Sequence, residues 1–159
     1  MRLMSALLLG CALALPAAAV QAQEAPPNVG PYIIMDASTD SLILAASGTR
    51  QRSGAQASVT ISVIASAATR EAGIARLDMA YLFDCTTSRY KTPGAAAYDV
   101  AGGFMGAIED DGDWEAVNPE APSAAMQRLA CDNTVDEGIE PLEDLNAISA
   151  VYQEWVLNQ

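Results

Sequence analysis

The sequence predicts an α+β fold in which an antiparallel β-sheet carries a helix on one face, with a further helix at the C-terminus. Three observations predict it. Two long segments alternate apolar and polar residues with a period of two, helix-forming residues gather in the last quarter of the chain, and one cysteine lies in each region. Strands followed by helices are typical of α+β domains.

The clearest strand signal covers residues 57–66. Its odd positions are apolar and its even positions are mostly hydroxyl residues: Ala57, Val59, Ile61, Val63 and Ala65 alternate with Ser58, Thr60, Ser62, Ile64 and Ser66. Such alternation puts the two sets on opposite faces of a sheet. It predicts one buried and one solvated face, an arrangement typical of antiparallel sheets.

Two of the three cysteines, Cys85 and Cys131, connect this sheet to a predicted helix. Residues 75–85 alternate like the preceding strand, and Cys85 is in register with their apolar row, so its sulfur should point toward the core. Residues 122–130 are rich in helix formers, and Cys131 shares a helical face with Ala124. A Cys85–Cys131 disulfide therefore predicts a helix tied to one face of the sheet.

The remaining elements are shorter. Strands are predicted at 32–35, 42–46, 89–92, 97–101, 104–108 and 114–117, with turns at 36–41, 50–54, 69–73 and 110–113. After an acidic linker at 132–138, Pro141 is expected to open a second helix at a favoured first-turn position. Its apolar stripe consists of Leu142, Leu145, Ile148, Tyr152, Trp155 and Val156. The stripe favours docking on its own domain, and the absence of basic residues argues against membrane-surface binding.

The N-terminus has the layout of a secretory signal peptide. Met1-Arg2 is basic, Leu3–Leu15 is mostly apolar, and small residues at Val20 and Ala22 suit a signal peptidase. This predicts a signal peptide over 1–22 with cleavage before Gln23, and a mature chain without a transmembrane segment. A flexible lead-in then covers 23–30, a β domain 31–131, and the acidic linker with the C-terminal helix 132–159.

The alternative processing route is lipidation. Leu8-Leu9-Gly10-Cys11 resembles a lipoprotein box, which would leave Cys11 lipidated and the protein anchored. The apolar run continues through Ala12–Leu15, whereas such a box normally closes it, so ordinary cleavage is favoured.

The predicted location is periplasmic, secreted or at the cell surface. In an oxidising compartment Cys85 and Cys131 are expected to form a disulfide. The loop-entropy model predicts that this bridge stabilises the fold by about 4 kcal/mol.

Charge and residue usage restrict the function. The chain has 20 acidic against 8 basic residues, a net charge of −12, and loss of Arg2 with the leader makes the mature chain more negative. Nucleic acid and anionic membranes would be repelled, whereas a cationic protein partner is allowed. The sequence lacks histidine, and its single lysine, Lys91, has no serine at a recognisable dyad spacing. It also lacks a C-x-x-C motif and a phosphate-binding glycine loop. These features predict neither catalytic residues nor a cofactor.

Two weaker signals remain open. The carboxylates of 109–115 could bind calcium, although they lack EF-hand spacing, and an ordinary solvated turn is favoured. Paired carboxylates could also serve glycoside hydrolysis, but a chain of this size has little room for the necessary cleft. Trp114 and Trp155 could stack on a ligand, and the preferred interpretation of both is that they anchor the core.

The middle of the chain, about residues 31–131, resembles the bacterial surface-adhesin protein E family. The resemblance rests on Asp36, Asp84-Cys85, Arg89, Tyr90, Tyr98-Asp99, the Gly102-Gly103 pair, Trp114, Val117-Asn118-Pro119 and Ala130-Cys131. It implies an antiparallel sheet with a helix tied to its concave side by a disulfide. It also implies an envelope protein, the type member being an outer-membrane adhesin, but no binding residues carry over.

These observations together predict a non-catalytic, exported cell-envelope binding or structural domain whose partner is a protein or another envelope component. The alternative is a periplasmic inhibitor of a cationic hydrolase such as lysozyme, because an acidic surface steers a cationic partner.

Overall fold

The computed structural model describes residues 28–110, 112–136 and 138–159. It contains β1 (Tyr32–Ala37), β2 (Ser41–Ser53), β3 (Gln56–Ala65), β4 (Arg76–Asp84), β5 (Arg89–Tyr98), β6 (Phe104–Glu109), β7 (Glu115–Ala116), α1 (Pro122–Asp132) and α2 (Leu145–Leu157). Strands β1 to β6 follow one another in the sheet in chain order, every pair antiparallel, and β7 also pairs with β5. The predicted α+β class is confirmed. The predicted signal peptide lies outside the described residues and stays a prediction.

One face of the sheet is covered by α1 and is called here the α1 face. Ala57, Val59 and Ile61 of β3 form a buried cluster there with Phe83 of β4 and with Leu129 of the helix. The odd row of β3 therefore points toward this core, as the alternation predicts. Cys85 packs against the same cluster, on the side that its register predicts.

The opposite face, called the α2 face, is also buried, and the predicted solvated face is wrong. Leu42, Leu44 and Ile64 pack there against Ile148 and Tyr152 of α2. The hydroxyl residues of β3 on this face lose their contact with water as well, because Thr60 and Ser62 are almost fully buried. The alternation identifies the two faces correctly, but it contains no information about a second covering layer.

Ser62 is accommodated on the α2 face by a buried polar cluster. Its hydroxyl donates to Asp78 Oδ1 at 2.8 Å, and the Asn28 side-chain amide donates to Asp78 Oδ2 at 2.7 Å. Arg76 completes the cluster, with its Nε 3.0 Å from Asp78 Oδ1 and its guanidinium over the Tyr98 ring at 4.0 Å. A fully buried carboxylate is tolerated because it has a cation and hydrogen-bond donors around it.

Strand β5 is continuous, so the prediction of two separate strands at 89–92 and 97–101 is wrong. Pro93 lacks an N–H group and signals a break in most strands. Here it lies at a bulge, where the pairing moves from Ala80↔Gly94 to Leu82↔Lys91. The extra residue is absorbed at this irregularity, and the strand continues to Tyr98.

Strand β2 is longer than predicted, because Arg50–Ser53 belong to it and not to a turn. Its pairing with β3 is irregular between Ala46 and Gln51. Thr49 bridges this gap, accepting from the Thr60 N–H at 2.8 Å and donating to the Ala46 carbonyl at 2.7 Å. The polar composition that suggested a turn has another role, since the arginines of this segment contact α1.

The C-terminal end of α1 is held by covalent and polar contacts. The predicted disulfide joins Cys85 to Cys131, with 5.7 Å between their Cα atoms. Arg50 Nε donates to the carbonyls of Leu129 and Ala130 at 3.0 and 2.8 Å, and Arg52 donates to the carbonyl of Cys131. The last carbonyls of a helix lack partners within it, and cations favour that end of its dipole.

Helix α2 begins later than predicted. Leu142 forms a β-bridge with Tyr32, so Pro141 precedes the helix and does not open it. Asp144 is the N-cap, its side chain accepting from the N–H groups of Asn146 and Ala147. The prediction that the apolar stripe docks on its own domain is confirmed by the packing of Ile148 and Tyr152. No helix in the described ranges is long and apolar enough to cross a bilayer.

Candidate functional site

An apolar groove lies between α2 and the β1–β2 corner and is called here the α2 groove. Its volume is about 580 Å³. Its lining residues come from the end of the sheet, from the segment before α2, and from one side of the helix: Ile34, Ala37, Leu42, Leu142, Glu143, Asp144, Ala147, Ile148, Val151, Tyr152 and Trp155. Ligand sites commonly enclose about 300–1,000 Å³, so the groove has the size of a binding site.

Two side chains place the helix above the sheet. The Tyr152 hydroxyl donates to the Ser38 carbonyl at 3.0 Å, and Gln153 Nε2 donates to the Ala65 carbonyl at 3.0 Å. Ile148 and Tyr152 face the sheet, while Ala147, Val151 and Trp155 follow one another at i, i+4 and i+8 along the groove. The groove therefore runs along two turns of α2.

The groove exposes apolar side chains to solvent. Val151 is 67% exposed, Trp155 40% and Ile34 38%, and Leu157 at the end of the same helix is 82% exposed. Single exposed apolar residues are normal, but a contiguous apolar patch on a soluble protein commonly marks an interaction site. The expectation that Trp155 anchors the core is wrong, because this ring lines the groove beside Tyr152 at 6.1 Å between centroids.

The polar rim of the groove is acidic. Glu143 and Asp144 belong to its lining, and neither lysine nor arginine is among the lining residues. Burial, and secondarily the charge of nearby Asp40, raise the pKa of Tyr152 above its usual value. Tyr152 is therefore a neutral hydrogen-bond donor at physiological pH. An apolar floor with a negative rim excludes anions and attracts cations.

The acidic segment 109–115 runs from the end of β6 to the start of β7. Asp110 Oδ1 accepts from the Gly112 N–H at 3.1 Å, and Asp113 is exposed. Asp111 lies outside the described residues. Elsewhere in the described chain, no three acidic or cysteine side chains gather as metal ligands would. The calcium site and the solvated turn both stay predictions.

A second group of ionisable residues lies where β5 pairs with β7. The Tyr90 hydroxyl donates to Glu115 Oε2 at 2.9 Å, and its ring stacks on Tyr81 at 5.5 Å between centroids. Lys91 lies on the neighbouring position with its ammonium 5.7 Å from the Trp114 ring. Trp114 is half-buried and belongs to neither core cluster. The expectation that it anchors the core is therefore wrong. These contacts pack the short β7 strand onto the sheet.

The structure places the predicted residues in two regions. Cys85 and Cys131 meet at the end of α1 on the α1 face, where they are structural. The α2 groove lies on the α2 face, and the sequence patterns described above do not predict it. Its signal is present in the sequence, because Val151 and Leu157 are apolar residues outside the predicted stripe of α2. A helix with more apolar residues than one buried face needs has a second apolar surface.

No protein family model matches this chain, and comparison with curated proteins and with solved structures gives no significant match.

Proposed function

We propose that this chain is exported and acts in the bacterial cell envelope as a non-catalytic binding domain of the surface-adhesin E type. The α2 groove is the observation that supports a binding role best, since it offers an open apolar surface of ligand-site size. The Cys85–Cys131 disulfide is compatible with an oxidising compartment outside the cytoplasm. The predicted signal peptide supports the same location.

Site-specific photo-crosslinking in cells tests the binding role. A photoreactive phenylalanine analogue replaces Val151 in the groove or Ile108 on β6, at the opposite edge of the sheet. The two positions are matched, with 67% and 70% of the side chain exposed. We expect a discrete protein adduct from position 151 and none from position 108. Absence of an adduct at 151, or the same adducts at both positions, would contradict a partner in the groove.

Cell fractionation tests export independently of binding. The full-length protein carries a C-terminal tag, and intact cells are treated with protease before osmotic shock. Degradation on intact cells would support surface exposure and the lipidated form at Cys11. Protection followed by release on osmotic shock would support a periplasmic protein cleaved before Gln23. Retention of the unprocessed chain in the cytoplasm would contradict the proposal.

The second candidate function is inhibition of a cationic hydrolase such as lysozyme. The net charge of −12 and the acidic rim of the groove favour it, because complementary charge accelerates association with a cationic protein. Titration of lysozyme with the mature domain at low ionic strength measures this directly. We expect loss of lysozyme activity if this candidate is right, and unchanged activity at low salt removes it.

A further inference from the structure

We infer that the occupant of the α2 groove is a basic amphipathic protein segment, with apolar side chains seated in the groove and lysine or arginine side chains at its rim. This inference rests on the proposed binding function and specifies the chemistry of the partner. The observations that carry it are the apolar floor, the acidic rim and the length of the groove.

The floor selects apolar groups. Ala147, Val151 and Trp155 of α2 line it together with Ile34 and Leu42 of the sheet. Solvent exposure of Val151 and Trp155 costs free energy that a partner's apolar side chains would recover on binding. An occupant that is polar throughout gains nothing from such a surface.

The rim selects positive charge. Glu143 and Asp144 line the groove, and Asp40 lies close enough to Tyr152 to raise its pKa, although burial is the larger cause. The carboxylate of Asp144 is already engaged in capping α2, so Glu143 is the lining carboxylate best placed to meet a cation. Electrostatic complementarity of this kind steers encounter and sets specificity. A fatty acid, an anionic lipid or a second copy of this chain would bring negative charge to a negative rim.

The shape favours a protein segment over a compact small molecule. Residues 147 to 155 advance about 12 Å along α2 at 1.5 Å per residue. That length accommodates about two turns of a partner helix, with apolar anchors at i, i+4 and i+7. The groove is open to solvent along Val151 and Trp155, so such a segment could enter from the side.

Trp155 provides the readout for a test. The chain has two tryptophans, so the variant Trp114→Phe leaves Trp155 as the sole indole. The probe is a synthetic 14-residue amphipathic helix with leucines on one face and lysines on the other. Two control peptides replace the lysines by glutamates or the leucines by serines. We expect the first peptide to shift Trp155 emission to the blue and both controls to leave it unchanged.

Variants of the full mature chain separate the groove from non-specific attraction to an acidic protein. Val151→Ser should weaken binding of the lysine peptide, while Ile108→Ser, at a site of matched exposure, should not. Glu143→Gln should weaken binding of the lysine peptide by up to about fivefold, which is the range of a solvent-exposed ion pair. The same variant should reduce the salt dependence of that binding. Thermal melting of each variant checks that the fold is retained.

Several outcomes would overturn the inference. Equal binding of the glutamate peptide, or equal weakening by Val151→Ser and Ile108→Ser, would show that the rim or the groove is not the recognition element. A blue shift with phosphatidylcholine vesicles but not with the lysine peptide would identify a lipid site. A dimer in sedimentation that Val151→Ser dissolves would identify a second copy as the occupant. A crosslink at position 151 together with failure of the peptide leaves the proposed function standing and removes only this inference.

Discussion

Tyr90 illustrates how one side chain's surroundings set its chemistry. Its ring lies 5.5 Å from that of Tyr81 and 6.0 Å from that of Phe83, and its hydroxyl donates to Glu115 at 2.9 Å. Burial, followed by the hydrogen bond and the charge of Glu115, raises the pKa of Tyr90 to about 12. The neutral phenol is favoured because ionisation would place two negative charges in contact.

Titration of this phenol is the first prediction. The pKa of Tyr90 in the folded protein exceeds the usual tyrosine value of about 10, so the stability that Tyr90 contributes is complete below about pH 10 and is lost as the pH rises toward 12. Glu115→Gln should lower the pKa of Tyr90, because it removes the carboxylate charge. Absorbance at 295 nm against pH measures the ionisation, and Tyr90→Phe identifies which transition belongs to this residue. An unchanged transition in the Glu115 variant would contradict the pairing.

At the scale of elements, α1 and α2 are attached to opposite faces of the sheet by different means. Helix α1 is tied by the Cys85–Cys131 disulfide and by Arg50 and Arg52, which bind its last carbonyls. Helix α2 depends on apolar packing, on the Asp144 cap and on two side-chain hydrogen bonds to the sheet. Loss of single contacts should therefore affect the two helices differently.

The disulfide prediction concerns α1. Cys131→Ser should lower the free energy of unfolding by about 2–5 kcal/mol, because the unfolded chain regains the entropy of a loop closed over 46 residues. The variant should also make Cys85 reactive toward a thiol reagent. Urea denaturation measures the first effect and labelling the second, and an unchanged midpoint would argue that the bridge does not form in solution.

The cap prediction concerns α2. Asp144→Ala removes the acceptor for the N–H groups of Asn146 and Ala147, and should cost about 1 kcal/mol. Asp144→Asn retains a side-chain oxygen and serves as the matched control. Denaturant unfolding compares the two variants, and hydrogen exchange at residues 145–148 should accelerate only in the alanine variant. Equal stability of both variants would contradict the capping role.

At the scale of the whole molecule, the sheet separates two cores. One cluster lies under α1 and includes Ile61 and Phe83, and the other lies under α2 and includes Leu42 and Ile64. The α1 core contains the disulfide, whereas the α2 core is built by the last segment of the chain. The second core therefore depends on α2, none of whose residues belongs to the first cluster.

Truncation after Glu140 tests the separation of the cores, because it removes α2 and retains the Arg128–Asp136 ion pair of α1. We expect the remaining domain to keep its disulfide and its β-sheet circular dichroism, to melt at a lower temperature, and to bind a hydrophobic dye through the uncovered Leu42, Leu44 and Ile64. Loss of all cooperative unfolding would contradict two separable cores. The chain that retains residues 141–159 is the control, and it should bind less dye than the truncated domain, because its exposed apolar surface is limited to the α2 groove and its surroundings.

The sequence predicts the sheet well because β3 and β4 alternate clearly, and it predicts the position of Cys85 because register follows from the same period. Prediction from the sequence fails where the structure of a segment depends on contacts with distant parts of the chain. Arg50 belongs to a strand and contacts a helix 79 residues away. On the polar face of β3, Ser62 is buried against Asp78 of the neighbouring strand, and Ile64 packs against a helix that follows much later in the chain. Val151 and Leu157 signal a second apolar surface on α2, but the α2 groove itself depends on the relative placement of α2 and β1, which the sequence pattern does not indicate.

The single bridge of the mature domain has a consequence for how the cell assembles it. Of the three cysteines in the sequence, Cys11 belongs to the predicted leader, and cleavage before Gln23 would leave Cys85 and Cys131. Two thiols in one chain allow one intramolecular pairing. Oxidation therefore cannot trap a wrongly paired isomer within a single chain. The domain needs an oxidant to mature, but it gives a disulfide isomerase no intramolecular error to correct.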